Sequence, residues 1–384
     1  MSIGKRPVDE AAFERLRRIA PNLLHGRDDE TDWHARALPD EVAFKLTNRC
    51  DLRCAHCYQW HPQGYHRQLA PVELRTDLDL AIIAAVLDAT RPVQSNVYLW
   101  GGEPFVYRDW DALMDLLAAH QRWTSICTNG TLLERRLASL EKLGQYAEIS
   151  VSLDGFEAQH DAVRGRGAFA RTWRGVEALR ERRRAGAFAG QLTINFVVTD
   201  AMVGGMFDFV TMLDAAGVDT LYVSLPWYLA ADGAARMDAY FDRHYGWPRA
   251  ARASWHSYSY GLDPACIDEL RAQIARIDAG EFRAAVRYNP RLDDKDLLPF
   301  VLGSDTPAQN KVRCQSTRAR MDVFPNGDVV SCKFFPEFRV GNLHEADFAS
   351  IWHGERFDQV RRTVATCGLM PACAKCNLLY TRGM

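Results

Sequence analysis

Residues 50–58 read CDLRCAHCY, three cysteines spaced by three and then two residues, directly after the apolar, β-rich run EVAFKLT at 41–47. What those thiols bind decides the rest of the reading. A structural zinc takes four ligands, with a second Cys or His pair about 12–20 residues on. No such pair follows, although His56, His61 and His66 lie close by. A 4Fe–4S cluster has four irons, so three thiolates leave one iron with an open coordination position. On this reading the missing fourth thiolate is the working coordination site, much as a catalytic zinc keeps one position free.

Composition narrows the setting. The chain has 384 residues, 47% of them apolar, enough for a large core or two domains. Its 47 basic and 49 acidic residues give a net charge of −2. That balance offers no electrostatic footprint for nucleic acid or an anionic membrane. No apolar run approaches the roughly 20 residues of a membrane span. The opening MSIGKRPVDEAAFERLRRIAP lacks an apolar signal core, so a cytoplasmic location is expected. Ten cysteines in a reducing compartment point to metal ligation or catalysis rather than disulfides.

Outward from the cysteines the chain alternates. NVYLWGG (96–102), TSICTNG (124–130), AEISVSLDG (147–155), QLTINFVVTD (191–200) and TLYVSLPWY (220–228) follow the first run, with helical patterns between them. Six β-like runs separated by helices predict an α/β sheet of parallel strands with right-handed crossovers. Most runs end at Gly, Asn or Asp, which suits loops that carry chemistry at the C-terminal edge. Residues 1–40 hold a short amphipathic pattern (Phe13, Leu16, Ile19, Ala20), expected to pack on the main domain. Residues 229–312 are expected to form an aromatic-rich helical segment without strands, containing Tyr240, Phe241, Tyr245, Trp247, Trp255, Tyr258 and Tyr260. These either cap a substrate or fill a core. One helix there starts at Asp263 as N-cap with Pro264 in its first turn. RMDVFPNGDVVSC then predicts a hairpin around Pro325–Asp328.

Cys50-x3-Cys54-x2-Cys57 followed by Tyr58 resembles the signature of the radical S-adenosylmethionine (SAM) enzymes. That resemblance implies a partial (β/α)6 TIM-like barrel over residues 41–228. It also implies a cluster whose open iron chelates the amino and carboxylate groups of SAM, and a 5′-deoxyadenosyl radical that abstracts hydrogen from an unactivated carbon. Other motifs agree in order. Gly101, Gly102, Glu103 and Pro104 match the turn that meets the methionine amino group. Thr128-Asn129-Gly130 matches a further turn, with Asn129 a candidate contact. Ser152 and Asp154 stand where ribose hydroxyls are held, and Arg164 where the SAM carboxylate is held, a task suited to guanidinium. Asn195 and Val197 are adenine candidates.

Cys314, Cys332, Cys367, Cys373 and Cys376 form a second group. Two pairs held by a hairpin and a terminal CxxC suit zinc or a second cluster, and spacing alone favours zinc. Beside the first motif the segment 313–384 resembles the C-terminal auxiliary-cluster domain called SPASM, or twitch in its one-cluster form. Five cysteines rather than seven imply one auxiliary 4Fe–4S cluster, held by Cys314, Cys332, Cys373 and Cys376. Cys367 is an alternative ligand, a hydrogen donor beside the substrate, or a structural thiol. Cys127 and Cys266 are expected to be buried small apolar residues.

The family implies a flavodoxin- or ferredoxin-type electron donor and a small-molecule or peptide substrate. The expected activity is oxidation of a natural-product precursor through the auxiliary cluster. Alternatives are a peptide maturase making cross-links or epimers, and a non-catalytic iron–sulfur or zinc scaffold. With forty residues before the barrel no winged-helix peptide-recognition module is expected, which favours a small natural-product precursor or a short peptide bound directly.

Overall fold

The computed structural model describes residues 33–382; the helical pattern read at Phe13–Ala20 lies outside them. The six expected strands form as β1 (Glu41–Lys45), β2 (Asn96–Trp100), β3 (Thr124–Thr128), β4 (Ala147–Ser152), β5 (Gln191–Val197) and β6 (Thr220–Ser224). They are parallel and neighbours in chain order, with registers such as Phe44 opposite Leu99 and Ile126 opposite Ile149. Helices at Leu80–Ala89, Trp110–His120, Leu133–Leu140, Ala168–Arg184 and Met206–Ala215 form the crossovers. Covered on both faces, such strands carry near-continuous apolar sequence, and all five residues of β1 are buried. The result is a partial, open TIM-like barrel of parallel strands.

Two features depart from the expectation. A seventh strand, β7 (Ala285–Asn289), pairs parallel with β6 inside the segment read as strandless. It is an edge strand with Ala285 and Arg287 exposed, so AVRYN needs no apolar run and shows none. The C-terminal hairpin, β8 (Arg320–Val323) and β9 (Asp328–Val330), also does not stand apart. β8 lies parallel beside β1, with Met321 opposite Val42, and β10 (Arg339–Asn342) completes a ten-stranded sheet ordered β10-β9-β8-β1-β2-β3-β4-β5-β6-β7.

Asp263 caps its helix as expected, accepting from the Ala265 N–H, although the first turn is 3-10 (Pro264–Cys266) before the α-helix Ile267–Ala279. Of the aromatic segment, Phe241, Tyr245 and Trp255 are core. No helix among the described residues is long and apolar enough to cross a membrane.

Candidate functional site

The three-cysteine loop leaves the C-terminal end of β1 and is pinned from two sides. The Ala55 N–H donates to the Val163 carbonyl at 2.8 Å, and the Trp60 indole donates to the Asn48 carbonyl at 3.1 Å. The Gly101–Gly102 turn after β2 presses against it, with the Gly102 N–H on the Thr47 carbonyl at 2.8 Å. A Cβ at Gly102 would lie 2.1 Å from the Arg49 carbonyl oxygen. Backbone cannot yield as a flexible side chain does, so Gly102→Ala is expected to cost at least the ~1–3 kcal/mol of an overpacked core. Chemical unfolding measures it; an unchanged midpoint contradicts so close an approach.

Cys50, Cys54 and Cys57 face a common cavity of about 300 Å³. Burial pushes the Cys54 thiol up to about 11 and raises Cys50 and Cys57 as well. Such thiols become thiolates when a bound cation supplies the charge. Among the described residues no three His, Cys, Asp or Glu side chains stand close enough for one metal ion. A cubane puts each thiolate on its own iron, so its ligands stand further apart, and grouped buried thiols are the donor set that suits it.

The motif residues do not all reach the cavity. Tyr58, Gly101, Gly102, Asn129, Ser152, Arg164, Asn195 and Val197 line it. Glu103 and Pro104 stand behind the lining, both buried. The Glu103 carboxylate accepts from Thr128 Oγ1 and the Asn129 N–H, each at 2.7 Å, and from the Phe105 N–H at 3.0 Å. Burial pushes this carboxyl up to about 7 against those three donors. Glu103 therefore clamps the turn after β2 to the turn after β3. Asn129 Nδ2 in turn donates to Asp51 at 2.7 Å, inside the cysteine loop.

Asp154 is also fully buried behind the lining. It accepts from Arg164 Nε at 2.5 Å, His56 Nε2 at 2.8 Å and the Val197 N–H at 3.0 Å. Burial favours the neutral acid, but Arg164 and His56 outweigh it and hold the carboxyl well below the usual range. Arg164 Nη1 lies 3.9 Å from Cys54 Sγ. Asp154 thus ties the cysteine loop, the helix Glu157–Arg164 and β5 into one unit. Besides any contact with ribose that the motif implies, Asp154 orients Arg164, His56 and the Val197 N–H. Ser152 faces the cavity, and Asn195 accepts from Ser224 Oγ at 2.8 Å.

At the C-terminal segment the thiols of Cys314, Cys332, Cys373 and Cys376 act on one another electrostatically, and burial raises Cys332, Cys373 and Cys376. Cys367 lies apart, exposed at the end of the helix Glu355–Cys367. Cys127 and Cys266 are half-buried rather than buried. Alternation along β3 points Cys127 into the cavity, and Cys266 sits near Asp200 at the surface.

Sequence reasoning missed several lining residues: His56 as partner of Asp154, Trp100, Trp227, Asn289, Lys333, Phe334 and Asn377. Tyr58 stacks on Tyr258 at 5.0 Å, and Trp227 packs on Phe334 at 4.1 Å, forming an aromatic wall between the two groups of cysteines. The Lys333 ammonium sits over the Tyr98 ring at 4.5 Å.

Residues 44–210 match the radical SAM superfamily, and residues 314–377 match the iron–sulfur cluster-binding domain called SPASM. The mycofactocin maturase MftC of Mycobacterium ulcerans is 27% identical over 348 residues, 90% of this chain and 82% of that one. The pre-heme d1 synthase of Dinoroseobacter shibae is 29% identical over 336 residues, 83% of this chain and 75% of that one. In fold, Streptococcus suis SuiB bound to precursor peptide SuiA superposes with TM-score 0.59 at 16% identity, covering 99% of this chain and 77% of that one. The anSMEcpe protein with bound AdoMet gives 0.56 at 17% identity, covering 83% and 82%.

Proposed function

The chain belongs to the radical SAM superfamily and carries a SPASM-type iron–sulfur domain, and from that premise we propose that it is a SAM-dependent maturase that abstracts hydrogen from an unactivated C–H bond of a peptide and completes a net oxidation. One observation carries this reading. A single cavity is lined by the three-cysteine loop, the Gly101–Gly102 turn, Ser152, Arg164 and Asn195 on one side and by Lys333, Phe334 and Asn377 of the C-terminal segment on the other. The similarity to MftC, a maturase by name, supports it.

Cys50, Cys54 and Cys57 would hold the SAM-binding 4Fe–4S cluster, and Cys314, Cys332, Cys373 and Cys376 the auxiliary one. Bound there, the first cluster would supply the electron for cleavage of SAM to methionine and a 5′-deoxyadenosyl radical. The chain's own part is orientation and exclusion of water. The Gly101–Gly102 backbone would meet the methionine end, and Ser152 and Asn195 the nucleoside end. Arg164, its guanidinium fixed by Asp154, suits the carboxylate. Tyr58, Trp227, Tyr258 and Phe334 shield the reacting carbon.

Removing Cys373 and Cys376 together is expected to leave about four of roughly eight irons, read by iron analysis after anaerobic reconstitution. Stoichiometric zinc with about four irons in the unaltered chain would instead make the C-terminal site structural. Cys367→Ala should turn over nearly normally and consume one SAM per product, because its exposed thiol lies off the cavity lining. Loss of product with 5′-deoxyadenosine retained would make Cys367 a hydrogen donor and the reaction redox-neutral.

A second reading, a small-molecule substrate, is favoured by the similarity to pre-heme d1 synthase. The cavity argues against a macrocycle, since about 300 Å³ is at the bottom of the range for ligand pockets and is shared with SAM. The test of enzyme class is anaerobic incubation with SAM and dithionite. Formation of 5′-deoxyadenosine is expected; none from chain loaded with both clusters overturns the proposal.

A further inference from the structure

Three lysines are buried in the described part of the chain, and two are satisfied internally. Lys45 Nζ bonds Tyr65 Oη and His66 Nε2, each at 2.9 Å, and Lys375 Nζ donates to the Phe300 carbonyl at 2.7 Å. Lys333 is different. It is 9% exposed and lines the cavity. Its ammonium lies over the rings of Tyr98, Phe334 and Trp100 at 4.5, 4.9 and 5.3 Å, with no hydrogen-bond or ion-pair partner among the described residues. The carboxylate that acts on it, Asp322, gives both oxygens to Arg320 at 2.8 and 2.9 Å. Aromatic faces attract a cation but do not accept its three protons. Such a charge is completed only by what enters the cavity, water or a ligand's acceptor.

Other atoms of the same lining are also incomplete. The Trp100 Nε1–H is buried without an acceptor, and its ring lies beside the Lys333 ammonium. Asn289 Oδ1 and Asn377 Oδ1 are buried without a donor. Two donors, one of them charged, call for an anionic acceptor, and the two amide ends suit a neighbouring N–H. The aromatic rings around the ammonium lower the local dielectric and strengthen a bond made there.

The geometry points to Lys333 and Trp100 as the anchor for a carboxylate of the substrate, with Asn289 and Asn377 bonding the amide next to it, so that the site takes the carboxylate-bearing residue of a peptide. This rests on the proposed function. It assigns Lys333 to the substrate rather than to the charge of the auxiliary cluster, although its neighbour Cys332 belongs to that group.

The test uses chain loaded with both clusters and SAM, kept anaerobic and titrated calorimetrically with three probes. N-acetylphenylalanine carries a terminal carboxylate, N-acetylphenylalaninamide is its neutral counterpart, and N-acetylglutamate α-amide carries a side-chain carboxylate. At least one acid should bind about tenfold or more tighter than the neutral amide. Lys333→Met should erase that preference, and Lys333→Arg should keep most of it. The tighter acid tells a chain terminus from an acidic side chain. The inference is overturned if the amide binds as well as both acids. It is also overturned if neither acid binds below about 10 mM, or if Lys333→Met shifts SAM affinity or the auxiliary-cluster potential while acid preference stays. SAM cleavage measured on the same samples separates these failures from failure of the underlying reading, since acid preference does not depend on cleavage.

Discussion

Replacing Cys50, Cys54 and Cys57 together with Ala is expected to abolish 5′-deoxyadenosine formation while leaving about four of roughly eight irons on the chain. Three facts set the size of the effect. The thiols share one cavity. The loop that carries them is held by backbone bonds to Thr47, Val163 and Arg49 rather than by the thiols themselves. The C-terminal thiols act chiefly on one another, and on this loop only Cys332 reaches Tyr58. The barrel should therefore fold, and the auxiliary group should load, without the first cluster. Reductive cleavage of SAM by the triple variant would place the working iron elsewhere. Loss of all iron would show that the two groups load as one.

Asp154→Ala is expected to destabilise the fold by about 3–5 kcal/mol, the range for breaking a buried pair from one side. The substitution leaves Arg164 buried with its Nε unpaired. It also removes the acceptor for His56 and for the Val197 N–H. The effect on SAM follows from the loosened Arg164, so affinity should fall even though Asp154 is off the cavity lining. Equilibrium unfolding gives the first quantity and SAM titration the second. A variant as stable as the parent, with only SAM affinity reduced, would return Asp154 to the direct ribose contact its motif implies.

That contrast shows what was legible in the sequence. Strands β1–β6 were readable because parallel strands covered on both faces carry unbroken apolar runs. Edge strand β7 exposes Ala285 and Arg287 and carries no such run. The parallel pairing of β8 with β1 joins residues nearly 280 positions apart by register, Glu41 opposite Arg320, and no local pattern announces it. At the site the motifs place Gly101, Ser152 and Asn195 at strand ends facing the cavity. They do not distinguish a side chain that faces the cavity from one that braces the wall, as Glu103 and Asp154 do. Lys333 sits in SCKFFP, a lone charge between a cysteine and two phenylalanines. In hindsight its apolar neighbours are a mark of burial, but an isolated lysine reads by default as solvated.

The most direct measurement is electron–nuclear double resonance on the reduced chain with SAM isotopically labelled at its amino nitrogen. With the auxiliary cluster absent after removal of Cys373 and Cys376, the remaining signal belongs to the cluster of Cys50, Cys54 and Cys57. The account predicts a hyperfine coupling from the labelled nitrogen, as expected when the amino group is bound to the fourth iron. A reduced cluster with no coupling to bound SAM would contradict it.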